Sequence, residues 1–452
     1  YEREHPGTFR LDDKKYFFRE HKLEKDDSGK FGLAEAAENE TGLFTSYEKD
    51  GKFVSFYGDN HPDFAGNVVK AMASARYGYE IVAGLFAEET KDLAGDLRSV
   101  SARERKFSEL VKNLDDLLIA TVHRVEKLTP TIVEVVIHAP LAANKFRPGQ
   151  FYRLQNYELT APSKRGSKLT MEGMAMTGAW TDVEKGLLSV IVLEMGVSSR
   201  LSEILKPGER VVLMGPTGAP TTIPENESVI LAGGGLGNAV LFSIAAALKK
   251  RNNKVVYFAG YKDSKDVFKM DDVEAGADQV VWSNDTGEVI MPRRPQDCSF
   301  KGNIVEAMKA YSDGLLCSPL VDFSEVSRII TIGSDRMMNA VKAARHTLFK
   351  DKFGKHAGIG SINSPMQCMM KEICAQCLQR HVDPETGKES FVFTCFNQDQ
   401  DLDKVDFDNL HQRLKQNSVL EKLANLYLTL LLSGSPANTA PAGEGVSIME
   451  GH

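Results

Sequence analysis

Cysteine is scarce. Six in 452 residues are too few to staple a chain of this length with disulfides. Long apolar runs are missing as well. No window approaches about 20 consecutive apolar residues, so no membrane-spanning helix is expected. The most apolar late stretch, Leu423 to Leu432, contains Asn425 and Thr429 and reads as a docking helix. There is no excess of positive charge. Fifty-five basic residues face 62 acidic ones, for a net charge of −7, which argues against a general nucleic-acid binder that must neutralise phosphates. The first residues, Tyr-Glu-Arg-Glu-His-Pro, hold no apolar segment of a secretory signal, and a cytoplasmic location is expected. His123, His138, His346, His356, His381 and His411 are scattered. They form no Glu-x-x-His or His-Cys ligand pair and no supported Ser-His-Asp set, so structural roles are expected for them. What remains is ordinary globular composition, 42% apolar and 26% charged, in a chain long enough for about two to four domains.

The pattern changes along the chain. Residues 1–115 are charged and mixed, with helical spacing from Ala65 to Phe86 and again from Glu104 to Asp116. They carry no catalytic constellation and read as a mixed helical extension. Residues 116–219 turn to period two. Leu117 to Val125, Ile132 to His138, Gln150 to Gln155, Leu187 to Leu193 and Arg210 to Met214 are rich in β-branched residues and separated by Pro and Gly. Short strands at that spacing predict a small antiparallel β-barrel. Residues 220–355 alternate apolar strands (228–232, 255–259, 279–282, 328–332) with helices (236–251, 304–311, 336–348). That alternation predicts a parallel sheet covered on both faces. A cysteine module with a docking helix follows at 356–432, then a tail at 433–452 rich in Gly, Pro and Ala.

Three motifs carry chemistry. Ala232-Gly-Gly-Gly-Leu-Gly-Asn joins the first parallel strand to its helix. Without Cβ atoms such a turn can approach a pyrophosphate, and the helix N-terminus offers free N–H groups. Gly235 and Gly237 are the leading contacts for a nucleotide, with tight packing as the bland alternative. Gly196-Val-Ser-Ser-Arg-Leu opens a short helix and offers hydroxyls and a guanidinium suited to phosphate; ordinary capping by serine is the simpler account of this segment alone. Cys368, Cys374, Cys377 and Cys395 have the spacing C-x5-C-x2-C-x17-C. Three thiolates in one loop and a fourth beyond a hairpin resemble the plant-type [2Fe-2S] arrangement, whose first gap is one residue shorter. A four-cysteine zinc site is the alternative, although only Cys374–Cys377 has the zinc-knuckle spacing. Cys298 and Cys317 show no partner pattern.

Barrel, nucleotide domain and cysteine loop in that order resemble the ferredoxin-NADP-reductase superfamily, in its branch with a C-terminal [2Fe-2S] module. This is the type of the small subunit of NADH-dependent ferredoxin:NADP oxidoreductase and of the dihydroorotate dehydrogenase electron-transfer subunit. The segments that carry the likeness include Arg147-Pro-Gly-Gln-Phe, Glu194-Met-Gly-Val-Ser-Ser-Arg-Leu, Gly215-Pro-Thr-Gly, Gly333-Ser-Asp-Arg-Met-Met-Asn, Cys374-Ala-Gln-Cys and Val405-Asp-Phe-Asp-Asn-Leu, within about 116–415. The resemblance implies an oxidoreductase with FAD in the barrel, its flavin lined by Arg153, Ala175, Met176 and Thr177 and its pyrophosphate near Gly196, Ser198, Ser199 and Arg200. It implies NAD(H) or NADP(H) at Gly233, Gly234, Gly235, Gly237 and Asn238, with Asp285, Gly333, Ser334 and Met337 nearby, and a [2Fe-2S] cluster on the four cysteines. Lys262 and Lys265 would favour a 2′-phosphate and Asp263 oppose it. The family's flavin-site arginine is missing from Glu172-Gly-Met-Ala-Met-Thr177. The chain opens on Tyr1, and residues 1–115 match nothing in these subunits, so a longer fused protein is expected. Its remainder, or a separate partner, would be a glutamate-synthase-like flavoprotein; a soluble ferredoxin is a further possible partner. The alternative reading is a zinc-bearing, flavin-free scaffold derived from the same fold.

Overall fold

The computed structural model describes residues 6–91, 97–362, 370, 372–416 and 418–433. The chain divides into two compact units after Leu110. In the first, β1 (His21–Lys25), β2 (Phe31–Glu35), β3 (Phe44–Lys49) and β4 (Lys52–Ser55) form an antiparallel sheet in the order β2-β1-β3-β4. Asp50 and Gly51, both left-handed (φ 53° and 70°), turn β3 into β4 as the right-handed strand twist requires. Helix α1 (Val68–Leu85) is capped by Asn67, whose side chain accepts the N–H groups of Val69 and Lys70. Helices α2 (Ala87–Lys91) and α3 (Leu97–Leu118) follow. Both expected helices are there. Beside these helices of the expected mixed helical extension stands a sheet for which no strand was expected, because its short, half-exposed strands carry no clean apolar alternation.

The second unit begins with the barrel. Its elements are β5 (Thr121–Thr129), β6 (Ile132–His138), α4 (Pro140–Lys145), β7 (Phe151–Asn156), the hairpin β8 (Ser163–Lys164) and β9 (Ser167–Lys168), β10 (Met174–Asp182), β11 (Leu187–Leu193), α5 (Val197–Leu201) and β12 (Val211–Thr217). Six strands are hydrogen-bonded in the order β12-β7-β10-β11-β6-β5. A bridge between Thr121 and Arg210 joins the two end strands, with Val122 N–H donating to Glu209 O at 2.8 Å. The sheet thus closes on itself around Val133, Val135, Ile137, Tyr152, Leu154, Leu188 and Val190. Leu117 and Leu118, expected in the first strand, instead end α3.

Alternation of strand and helix then builds the parallel sheet. Its elements are β13 (Ser228–Gly234), α6 (Gly237–Lys250), β14 (Lys254–Asp263), α7 (Met270–Ala275), β15 (Gln279–Thr286), β16 (Cys298–Lys301), α8 (Ile304–Ser312), β17 (Arg328–Ile332), α9 (Asp335–His346) and β18 (Ala357–Ser361). The cysteine module adds β19 (Leu378–Val382), β20 (Glu389–Phe393) and β21 (Asp399–Asp401), and α10 (Phe407–Lys415) and α11 (Ser418–Ser433) close the described chain. The sheet order is β16-β15-β14-β13-β17-β18-β21, with only β21 antiparallel. The sheet therefore runs past residue 355 and takes its last strand from the cysteine module. Leu241, Ile244 and Leu248 of α6 cover one face. Met308, Tyr311 and Val341 of α8 and α9 cover the other.

One buried carboxylate fastens barrel to sheet. Glu134 of β6 is fully buried. It accepts from Ser189 Oγ at 2.8 Å, Trp180 Nε1 at 2.9 Å, Lys269 Nζ at 3.0 Å and Arg124 Nη2 at 3.1 Å. Burial pushes its pKa up, but the Ser189, Lys269 and Trp180 bonds and the Lys269 charge outweigh this and hold it below the usual carboxylate value. Cys298 and Cys317, expected to be without a partner, are joined as a disulfide with Cα atoms 6.1 Å apart.

Candidate functional site

The glycine loop sits where the sheet changes direction. β13 has β14 on one side and β17 on the other, and in open α/β sheets ligands bind beyond the carboxyl ends of strands at such a point. Gly233 and Gly234 end β13, and Gly235 turns with φ 54°. Its N–H donates to Gly260 O at 2.8 Å. A Cβ on Gly237 would meet Ile332 O at 2.5 Å and Gly333 Cα at 3.1 Å, so glycine is what lets α6 start against the end of β17. Asn238 is fully buried. Its Nδ2 donates to Gly235 O at 2.9 Å, which assigns it to shaping the loop rather than facing a ligand. Gly333 and Ser334 follow β17 on the same rim. Ser334 caps α9 by accepting the Met337 N–H at 3.2 Å, and the Met337 sulfur lies over Gly234 and Gly333. Asp285 is exposed near the end of β15. These residues form one crevice edge.

Asp263 ends β14 on that rim. Its carboxylate accepts the Lys265 N–H at 3.0 Å and the Thr286 hydroxyl at 3.0 Å. These bonds, the Lys265 one first, hold it below its ordinary pKa. It therefore presents a fixed negative charge, while Lys262 and Lys265 stand beside it in sequence.

The barrel supplies a second recess. Arg153 of β7 pairs with Ala175 of β10 on one side and Met214 of β12 on the other; Met176 and Thr177 pair with Tyr152 and Phe151. A Cβ on Gly173 would overlap the Arg153 guanidinium. The space in which a longer side chain at 173 would lie is thus filled by a cation from the neighbouring strand. Arg153 Nη1 donates to Gln155 Oε1 at 2.6 Å, while its buried Nε has no hydrogen-bond partner among the described residues. An orphaned buried guanidinium N–H fits an anionic ligand. Next to it, Glu172 N–H donates to Ser198 Oγ at 2.9 Å, tying the 172–173 corner to α5. Ser199 Oγ accepts the N–H groups of Met195 and Gly196 at 3.0 and 2.8 Å. The serine hydroxyls therefore stabilise the loop, and Val197 N–H and Arg200 are the groups suited to a phosphate. Both are held by α11: Val197 N–H donates to Glu421, and Arg200 donates to Asn425 and Thr429.

The cysteine loop packs on this barrel. Cys377 and Cys395 are buried with Met370 against Phe151, and Ala175 packs against the same group. Cys374 is exposed. Cys368 lies outside the described residues. Met370, Glu372 and Ala375 are left-handed, at φ 58°, 60° and 58°. Thr217 Oγ1 donates to Met370 O at 3.1 Å, and Arg413 of α10 donates to the carbonyls of Gln376 and Leu378. Sulfur donors beside a barrel wall are the type that suits an iron–sulfur cluster, although Cys374, Cys377 and Cys395 do not bring three sulfurs within 4.8 Å of one another. Ala175 belongs to both the barrel recess and the cysteine packing, so the two share one wall.

Glu20, His61 and Asp63 in the first unit come together in a way that could suggest a metal site. His61 Nδ1 accepts the Asp63 N–H at 3.2 Å, so the proton is on Nε2, directed to Gly42 O and Glu20. That leaves no lone pair for a metal, and the stacked, buried ring is a structural histidine. Sequence reasoning missed Glu134, the packing of the Arg153 guanidinium over Gly173, and the seat of α11. One signal was available: a glutamate set inside the apolar run Ile132-Val-Glu-Val-Val-Ile.

No protein-family model matches the chain. A Rickettsia prowazekii protein described as uncharacterized protein RP006 is 33% identical over 384 residues, covering 85% of this chain and 43% of its own length. The dihydroorotate dehydrogenase B (NAD(+)) electron transfer subunit homolog of Thermotoga maritima is 28% identical over 160 residues, 35% of this chain and 53% of its own length. The corresponding subunit of Desulforamulus reducens is 25% identical over 218 residues, 47% of this chain and 77% of its own. The chain thus spans about half or less of the first two relatives. Among solved structures, a chain of the NADH-dependent reduced ferredoxin-NADP oxidoreductase aligns at TM-score 0.54 and 22% identity, covering 69% of this chain and 98% of that one. At that identity the likeness is one of fold. Among the described residues, no helix is long and apolar enough to cross a membrane.

Proposed function

We propose that this chain, whose fold is that of the ferredoxin-NADP-reductase superfamily, is an NAD(P)H-linked electron-transfer module with FAD in the barrel and a [2Fe-2S] cluster on Cys368, Cys374, Cys377 and Cys395. One observation carries the reading. The cysteine loop packs on the barrel wall formed by Phe151 and Ala175, beside Arg153 with its orphaned Nε, in a chain whose glycine loop stands at the switch point of the sheet.

When bound, nicotinamide supplies a hydride, flavin converts its two electrons to single ones, and the cluster carries one at a time. The chain's own residues orient and exclude. Gly233 to Gly237 admit a pyrophosphate to the start of α6. Arg153 places a positive charge in the flavin recess. Cys377 and Cys395, buried against Phe151, keep two ligands away from water. RP006 is more than twice as long as its matched part, which is compatible with a further portion, fused or separate; a flavoprotein electron partner is our reading of it.

The test is the visible spectrum and metal content of the intact protein. Flavin absorbance near ~450 nm with broad cluster bands, iron and acid-labile sulfide are expected, bleached by anaerobic NADH or NADPH. A colourless protein containing zinc would refute the proposal and make the chain a flavin-free scaffold.

A further inference from the structure

Helix α11 lies across the recess assigned above to the flavin diphosphate. The Glu421 carboxylate accepts the Val197 N–H at 2.8 Å and covers the open face of Gly196, where a Cβ would overlap it. One turn on, Asn425 Nδ2 donates to Met195 O at 2.9 Å. Arg200 Nη1 donates to Asn425 O at 2.9 Å, Asn425 Oδ1 at 3.3 Å and Thr429 Oγ1 at 3.1 Å. The Tyr427 and Ser167 hydroxyls meet at 2.9 Å. The same helix therefore holds both groups that suit a phosphate, the backbone N–H and the guanidinium, and it offers the N–H an anion of its own.

We propose that α11 is an intrachain strap in which Glu421 occupies the diphosphate subsite and withdraws when FAD is loaded. The inference rests on the flavin reading of the barrel. Two anions cannot share one N–H at the mouth of a half-closed recess, so carboxylate and diphosphate compete. The helix is built to lift at one end. Leu428 and Leu431 are sunk in the barrel core. Val419, Leu420, Leu423 and Leu426 are 55–70% exposed, so polar contacts of Glu421 and Asn425, rather than burial, hold the first half down. The anchored end can stay while the Glu421 end swings away.

The experiment titrates FAD and riboflavin, which has no phosphate, into flavin-stripped full-length protein as wild type, Glu421→Gln and Asn425→Ala, read by flavin fluorescence. Glu421→Gln is expected to bind FAD roughly three- to tenfold more tightly, with riboflavin unchanged. Asn425→Ala should shift FAD in the same direction by freeing Arg200. Hydrogen exchange of 418–427 in the wild type should rise when FAD is added. Tight and equal FAD binding by wild type and both variants, or equal gains for riboflavin and FAD, would overturn the strap alone. Failure of all three proteins to bind either flavin would overturn the flavin reading and the strap with it.

Discussion

Replacing Glu134 with glutamine removes one negative charge from the junction of barrel and sheet and leaves the volume nearly unchanged. The amide oxygen can still accept from Ser189 and Trp180. Its NH2 then faces Lys269 Nζ, 3.0 Å from the present carboxylate, so donor meets donor. A hydrogen bond to a charged group contributes about 1.5–3 kcal/mol. Lys269 is only 22% exposed, so little of that is lost to solvent screening. Arg124 is 42% exposed and shared with Glu126, which limits its share to about 0.5 kcal/mol. Glu134→Gln should therefore lower stability by about 2 kcal/mol, and Glu134→Ala, which strands Lys269, by about 3–5 kcal/mol. Urea unfolding followed by tryptophan fluorescence suits the question, because Trp180 lies in the barrel and Trp282 in the sheet. A double-mutant cycle of Glu134→Gln with Lys269→Met should return a coupling near 2 kcal/mol. The pH dependence has a fixed sign. The folded pKa lies below the unfolded value of about 4.3, so the contribution is complete above that value and is lost as pH falls through the folded one. The gap between wild type and variant should close in acid. A cost below about 0.5 kcal/mol at pH 7, or an additive cycle, would refute the reasoning.

Further outcomes are expected at the candidate site. Gly237→Ala puts a methyl 2.5 Å from Ile332 O and should weaken NADH binding by about tenfold or more, read by fluorescence titration, since α6 must back away from β17. Cys395→Ser should abolish the cluster absorbance and lower bound iron while leaving flavin in place. Asp263→Ser removes a charge at the end of β14 and should shift preference from NADH toward NADPH by about tenfold in kcat/KM; an unchanged ratio would take the ribose away from this corner.

The buried strands were legible because residues covered on both sides read as apolar runs. Ile132-Val-Glu-Val-Val-Ile, Leu187 to Leu193 and Arg328 to Ile332 all became strands close to their expected limits. β10 escaped because its register shifts between Gly178 and Trp180, which breaks the period of two. The glycine loop was legible because its chemistry is local, five residues at one strand end. The Cys298–Cys317 pair, 19 residues apart, was not, because no spacing rule marks one disulfide. The contacts of Arg200 with Asn425 and Thr429 span more than 220 residues. No periodicity can report such a distance. The flavin-site arginine is a subtler case. Its absence near Gly173 was visible in the sequence and Arg153 was named there as well, but that the Arg153 guanidinium lies over Gly173 follows only from the pairing of β7 with β10.

The return of the chain as β21 has an engineering consequence. The polypeptide leaves the sheet at Ser361 and comes back at Asp399, which pairs with that same serine. The cysteine module is therefore a cassette bolted at both ends to one sheet edge, and loop length inside it can change without moving the bolts. The same mounting makes β21 a doorstop. It is three residues long with an aspartate at each end, and it covers the Ile359-Gly360-Ser361 edge that would otherwise be open to strand pairing between molecules. Trimming the chain after residue 362 to isolate a nucleotide domain would strip that guard, and the trimmed protein should precipitate where the longer one stays dissolved.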